Sequence, residues 1–152
     1  MENEVNCLKY DTVERMILRV AMQTWRVTVI QDTEQISELK AIVTECAKKK
    51  VLVHGWNNPV ALILVSNDKR NATGIQDCAC AAENMMLAAA SYGIGTVWLN
   101  ALMTLSDEPE VRELLNSYGI PERHTVWAMV ALGYPDKKTP PIARKVNVVQ
   151  WV

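Results

Sequence analysis

Apolar positions recur along the chain with two periods, and the switches between them mark out its elements. In DTVERMILRVAM (11–22), Val13, Ile17 and Val20 fall at helical spacing, with Asp11 or Thr12 as the cap. TWRVTVIQD (24–32) alternates instead, so Trp25, Val27 and Val29 share one side of a predicted strand. A second helix is predicted from Thr33 through Ile36, Leu39, Val43 and Ala47. The run Lys48–Lys50 suits its C-terminal end, where the helix dipole favours cations. HGWNNP (54–59) reads as a loop, and PVALILVS (59–66) as a continuous apolar strand buried on both faces.

The stretch DCACAAENMMLAAASYGIG (77–95) has only Glu83 and Asn84 as plainly polar residues between Cys78 and Ala90. Asp77 is expected to cap this helix and Gly93 to end it. A helix apolar nearly all round belongs inside a protein, yet a run over residues 78–90 falls short of the roughly 20 needed to cross a bilayer. It is therefore a central helix, part of whose surface is expected to meet another subunit. Beyond it, TVWLNAL (96–102) reads as a short strand or extended turn. DEPEVRELLNSYGIP (107–121) reads as a helix with an acidic first turn and a Gly-Ile-Pro stop. TVWAMVALG (125–133) is a strong strand, and YPDKKTPPIARK (134–145) a proline-rich, basic loop. VNVVQWV (146–152) has strand composition but no hairpin partner nearby, so its partner is expected elsewhere, with another chain as one option. Strands separated by helices indicate a mixed α/β layer. No repeat and no linker divides it.

Composition narrows the function classes. A chain of 152 residues fits one domain, and 49% hydrophobic with 22% charged residues is ordinary for a soluble globular protein. Sixteen Lys+Arg against 17 Asp+Glu leave a net charge of −1, which gives no electrostatic case for nucleic acid or an anionic membrane. Cys7, Cys46, Cys78 and Cys80 contain no CxxC, and His54 and His124 are isolated, so spacing yields no metal set. The thiols read as free, small hydrophobes. Glu2, Glu4 and Asn6 interrupt any signal-like apolar run, and the expected compartment is the reducing cytoplasm.

Several chemistries have no motif here: GxxxxGK[ST], GxSxG and HExxH are all missing. Gly93 and Gly95 stand at a helix's end, where a C-cap is their ordinary role, whereas the dinucleotide fingerprint opens a helix. Glu83 is either a general base or a buried, paired carboxylate. Arg144 and Lys145 either grip a phosphate or belong to a solvated basic loop. Trp98 and Trp25 either stack on a planar ring or pack in the core. These residues allow a planar anionic cofactor without demanding one.

In order, QTWRVTVIQD (23–32), PVALILVSNDK (59–69), DCACAAENMMLAAASYGIGTVWLNAL (77–102), LLNSYGIPERH (114–124), VALGYP (130–135) and PPIARK (140–145) resemble the FMN-dependent nitroreductase family. The resemblance covers roughly residues 23–151. It implies an α+β fold, a mostly antiparallel sheet flanked by helices, in an intertwined homodimer with C-terminal strand exchange. Residues 1–152 would form a single domain, with 1–22 a divergent, shortened N-terminal helix and 146–152 an arm pairing with the partner subunit. FMN would lie at the dimer interface. By motif, Gln23 corresponds to the family's QPW element beside the flavin. Trp98, Leu99, Asn100 and Ala101 match the turn lining the isoalloxazine ring, and Arg144 with Lys145 the late basic element holding the phosphate. The implied reaction is ping-pong: NAD(P)H reduces FMN, then a nitroaromatic, quinone or similar small-molecule acceptor is reduced in the same place. No protein nucleophile and no metal are implied.

Two family features have no counterpart. Nothing matches the N-terminal Arg-Arg-Ser-like element that grips phosphate and ribityl chain; Arg15 and Arg19 stand four apart on a predicted helix. The Pro-Ser-Asn stretch before QPW is reduced to Arg19, Val20, Ala21 and Met22 directly before Gln23, and the region between the second helix and HGWNNP is short. One lost cation–phosphate contact is worth about 1.5–3 kcal/mol, or about tenfold to a hundredfold in affinity. A second reading follows: a catalytically inactive, family-shaped dimer acting as a flavin-binding or protein-interaction module.

Overall fold

The alternating segment forms strand β1 (Trp25–Ile30) in the computed structural model, which describes residues 23–47, 56, 58–136 and 150. The predicted N-terminal helix, Lys48–Lys50, half of the HGWNNP loop, Arg144, Lys145 and nearly all of the C-terminal arm lie outside these residues. Helix α1 (Thr33–Ala47) buries Ile36, Leu39, Val43 and Ala47, the stripe its periodicity predicts. It begins at Thr33 as expected and is capped by Asp32, whose Oδ1 accepts the N–H groups of Glu34 at 2.8 Å and Gln35 at 3.4 Å. A carboxylate there satisfies two amides that the helix leaves without partners.

Strand β2 (Ala61–Asp68) is buried at every position and runs two residues further than its apolar run. It lies between β1 and β4 (His124–Gly133), antiparallel to both. Strand β3 (Gly95–Leu99) joins the far side of β4, completing an antiparallel sheet in the order β1-β2-β4-β3. The all-antiparallel pairing corrects the mixed α/β layer to α+β: every pair of neighbouring strands is antiparallel, and α2 crosses from β2 to β3 with β4 between them. A bulge lets Val65 pair with Ala128 and Ser66 with Val126, leaving Trp127 as the extra residue.

Helix α2 (Gly74–Ser91) starts three residues before its expected cap. Asn71 organises that start. Its Oδ1 accepts the Thr73 N–H at 3.0 Å, while its Nδ2 donates to Thr24 Oγ1 at 3.0 Å and Asp77 Oδ2 at 3.1 Å. Asp77 thus sits inside the first turn as an acceptor. Gly74 is required by packing, since a Cβ there would meet Asn67 Cβ at 3.3 Å and Trp127 Nε1 at 3.4 Å. At the other end Gly93 has φ +73°, and Ile94 N–H reaches back to Ala89 O at 2.9 Å, closing the helix as its sequence predicts. Two short helices follow, α3 (Ala101–Leu105) and α4 (Pro109–Ser117).

The sheet separates two cores. Helices α1, α3 and α4 cover one face with Leu39, Val43, Leu102, Leu105, Val111 and Leu115 against Leu62, Leu64 and Met129. Helix α2 covers the other with Cys78, Ala81, Ala82, Met85 and Ala89 against Ile63, Val65, Val130 and Leu132.

Candidate functional site

The turn from β3 into α3 carries four of the candidate residues. Strand alternation sends Trp98 towards the α2 face, where it packs half-buried, and Leu99 to the opposite core, where it is buried. Ala101 is buried as well, and begins α3, so the short strand or extended turn expected over 96–102 is a strand only as far as Leu99. Asn100 stays exposed between them and precedes the helix; its carbonyl accepts Met103 N–H at 3.1 Å. Trp98 Nε1 donates to Asn100 Oδ1 at 2.6 Å. An aromatic ring, a carboxamide and apolar backing thus stand together at one sheet edge.

Gln23 lies elsewhere. It is exposed just before β1, the opposite edge strand, with β2 and β4 between it and the turn. Three strand spacings amount to about 14 Å. Gln23 and the turn are therefore not brought into one compact constellation within a single chain. Trp25 combines two readings: it packs against the α2-side core, yet its indole Nε1 is buried without a hydrogen-bond partner. Glu83 corrects its expectation of burial. It is exposed on the outer side of α2, because the inner side is filled by Ala81, Ala82 and Met85.

A polar group that the sequence reading did not single out closes the start of β4. Ser66 Oγ and His124 Nδ1 are 3.2 Å apart, both residues buried, and Arg112 donates to His124 O at 2.9 Å. Burial, then the positive charge of Arg123, lowers the His124 pKa. Beside it, Arg70 pairs with Asp68 through two side-chain hydrogen bonds and Arg123 adds an ion pair at 3.0 Å, holding the Asp68 carboxyl far below the usual range. Lys69 and Arg112 lower Asp107 in the same way. Ser66 and His124 are sealed from solvent, so this group fixes strand ends and has no substrate access. Cys78 is equally inert, its thiol pushed up to about 12 by burial and by Asp77. Among the described residues no cluster of three His, Cys, Asp or Glu could hold a metal ion, and no helix is long and apolar enough to cross a membrane.

Residues 19–134 match the model of the nitroreductase family. The chain belongs to that family. A nitroreductase from Bacteroides fragilis, solved with bound FMN, is 31% identical and superposes with a TM-score of 0.88, covering 100% of this chain and 88% of that one. A second FMN-bound nitroreductase, from Desulfitobacterium hafniense, is 18% identical, with a TM-score of 0.85 over 100% of this chain and 87% of its own; at that identity it speaks for the fold alone. A protein of Archaeoglobus fulgidus, named as a candidate NADH dehydrogenase/NAD(P)H nitroreductase, is 34% identical over 118 residues, 74% of this chain and 62% of its own length. One of the same name from Methanothermobacter thermautotrophicus is 31% identical over 115 residues, 73% of this chain and 55% of its own. This nitroreductase-family chain thus spans somewhat under two-thirds of those two relatives.

Proposed function

We propose that the protein is an FMN-dependent oxidoreductase that uses NAD(P)H to reduce nitroaromatic, quinone or similar acceptors, and that it works as a homodimer. The observation that carries this reading is the β3–α3 turn. There a half-buried indole and an exposed carboxamide stand on buried Leu99 and Ala101, in a chain 31% identical to a nitroreductase solved with FMN.

The residues fit such a group. A flavin offers a flat apolar body and polar edges, and the turn offers the Trp98 ring beside the Asn100 carboxamide. Leu99 and Ala101 back the turn with buried apolar side chains and keep water from behind it. When bound, FMN supplies the redox chemistry, taking a hydride from the nicotinamide and passing electrons to the acceptor. The protein's part is to bind, orient and exclude water, so no side-chain nucleophile is needed. Gln23 contributes an exposed carboxamide from the other end of the site, and Arg144 with Lys145 supply cations for the phosphate.

A dimer is supported by the α2 side of the sheet. Ile75 at 42% exposure, Leu87 at 60% and Tyr92 at 53% leave apolar surface there that a second copy would cover. Residues 146–152 are proposed to extend the partner's sheet, within a single domain spanning 1–152 in a cytoplasmic protein. The inactive flavin-binding or interaction module is the second reading, favoured by the separation of Gln23 from the β3–α3 turn. Steady-state NAD(P)H oxidation with a nitroaromatic and a quinone separates the two. Acceptor-dependent turnover by FMN-loaded protein is expected, whereas a loaded protein with no turnover on either acceptor favours the second.

A further inference from the structure

The hydrogen bond between Trp98 and Asn100 has a chemical direction. An indole N–H can only donate, so the carboxamide end facing it at 2.6 Å must be the oxygen. The Asn100 NH2 is therefore the end turned away from the indole, and it has no partner among the described residues. An exposed asparagine is normally free to exchange its two ends, offering a donor or an acceptor at similar cost. Asn100 is not free in this way. Its oxygen is engaged by a ring that is itself packed against the Ile63, Val65 and Met85 core.

We propose that Trp98 is a positioning residue that restricts Asn100 to donating, and so biases the turn towards a ligand with an electron-rich acceptor edge. The inference rests on the functional reading above, in which that ligand is FMN. A fixed donor stabilises the reduced flavin more than the oxidised one, because reduction adds electron density to the ring's polar edge. Trp98 thereby raises the flavin's midpoint potential through Asn100, without touching the reacting atoms.

The test is a double-mutant cycle on the full chain: wild type, Trp98→Phe, Asn100→Ala and the double variant. FMN affinity is read by fluorescence titration, and midpoint potential by dye-coupled spectrophotometric reduction. Trp98→Phe is expected to weaken oxidised FMN about threefold, and reduced FMN by about a further tenfold. That tenfold difference corresponds to a shift of about 30 mV to more negative potential. Asn100→Ala should move the potential the same way, and adding Trp98→Phe to it should then do little. Equal shifts from Trp98→Phe in both backgrounds overturn the inference, as does an unchanged potential. Should Trp98→Phe fail to fold, Asn100→Ala decides alone, and a potential that stays or rises overturns the proposal. Wild-type protein that ignores FMN overturns the functional reading and this inference with it. Wild-type protein that binds FMN but gives an additive cycle overturns only the inference.

Discussion

The two faces of the sheet are built from different side chains and finished to different degrees. On the α1, α3 and α4 side, leucines, valines and isoleucines interlock, and only Ile42, Cys46 and Tyr118 sit part-buried at the margin. On the α2 side, alanines bring the helix close to the sheet, and the margin includes Trp25, Val27, Val29, Met86, Trp98 and Trp127. The exposed apolar residues Ile75, Leu87 and Tyr92 on that side lie on or just after α2 itself. Two indole N–H groups, of Trp25 and Trp127, are buried there without acceptors. The first face is the more closed core, with Val97 and Met103 exposed at its margin. The second is a surface that still has apolar area to bury, and it carries Trp98 and the candidate flavin turn.

The contrast predicts opposite sensitivities. On the closed face, removal is what hurts: Leu64→Ala should cost about 2–5 kcal/mol in chemical denaturation, since its side chain is fully buried. On the α2 face, addition hurts instead. Ala82, also fully buried, sits where helix and sheet approach closely, and Ala82→Leu should cost about 1–3 kcal/mol by overpacking. If Ala82→Leu is neutral, the α2 face is looser than described.

A buried polar contact on the closed face comes next. Ser106 Oγ accepts Val126 N–H at 3.1 Å, so Ser106→Ala should cost about 1–3 kcal/mol by leaving that amide unpaired. Acid gives a further test. The folded-state pKa of His124 lies below its ordinary 6.5, so the unfolded chain binds more protons as pH falls. The stability from neutral His124 is present above about 6.5 and is lost as pH falls through the folded value. Asp68 and Asp107 are also lowered, and their contributions disappear only below the ordinary 3.8. Thermal midpoints recorded against pH should therefore fall first below about pH 6.5, and His124→Asn should flatten that first decline. A profile that His124→Asn leaves unchanged would remove His124 from the account.

The smallest effect on chain stability belongs to the open face. Leu87→Ser should change chemical denaturation by less than about 0.5 kcal/mol when the chain is monomeric. Its expected effect is on sizing, where it should weaken self-association. An unchanged elution volume together with a large loss of stability would mean that Leu87 serves the chain's own core.

Much of this contrast was legible in the sequence. The stripe Ile36, Leu39, Val43 and Ala47, the unbroken run of β2 and the alanine-rich central helix come directly from periodicity and side-chain size. The start of α2 was not legible, because Asn71 is fixed partly by Thr24, on the segment leading into β1 and far away in sequence. Glu83 was misjudged because a helix with few polar residues was taken as buried all round, whereas small residues fill only its inner side. The turn at Trp98–Ala101 followed from family resemblance, but its distance from Gln23 did not. That distance depends on β4 inserting between β2 and β3, an order that local pattern does not encode. The directional bond from Trp98 to Asn100 likewise needed coordinates.

The most direct test of the central claim is a fluorescence titration of the purified apoprotein with FMN, run beside a sizing column. The account predicts saturable binding in the micromolar range or tighter by a species of dimer size. A folded protein that shows no saturable FMN binding would contradict it.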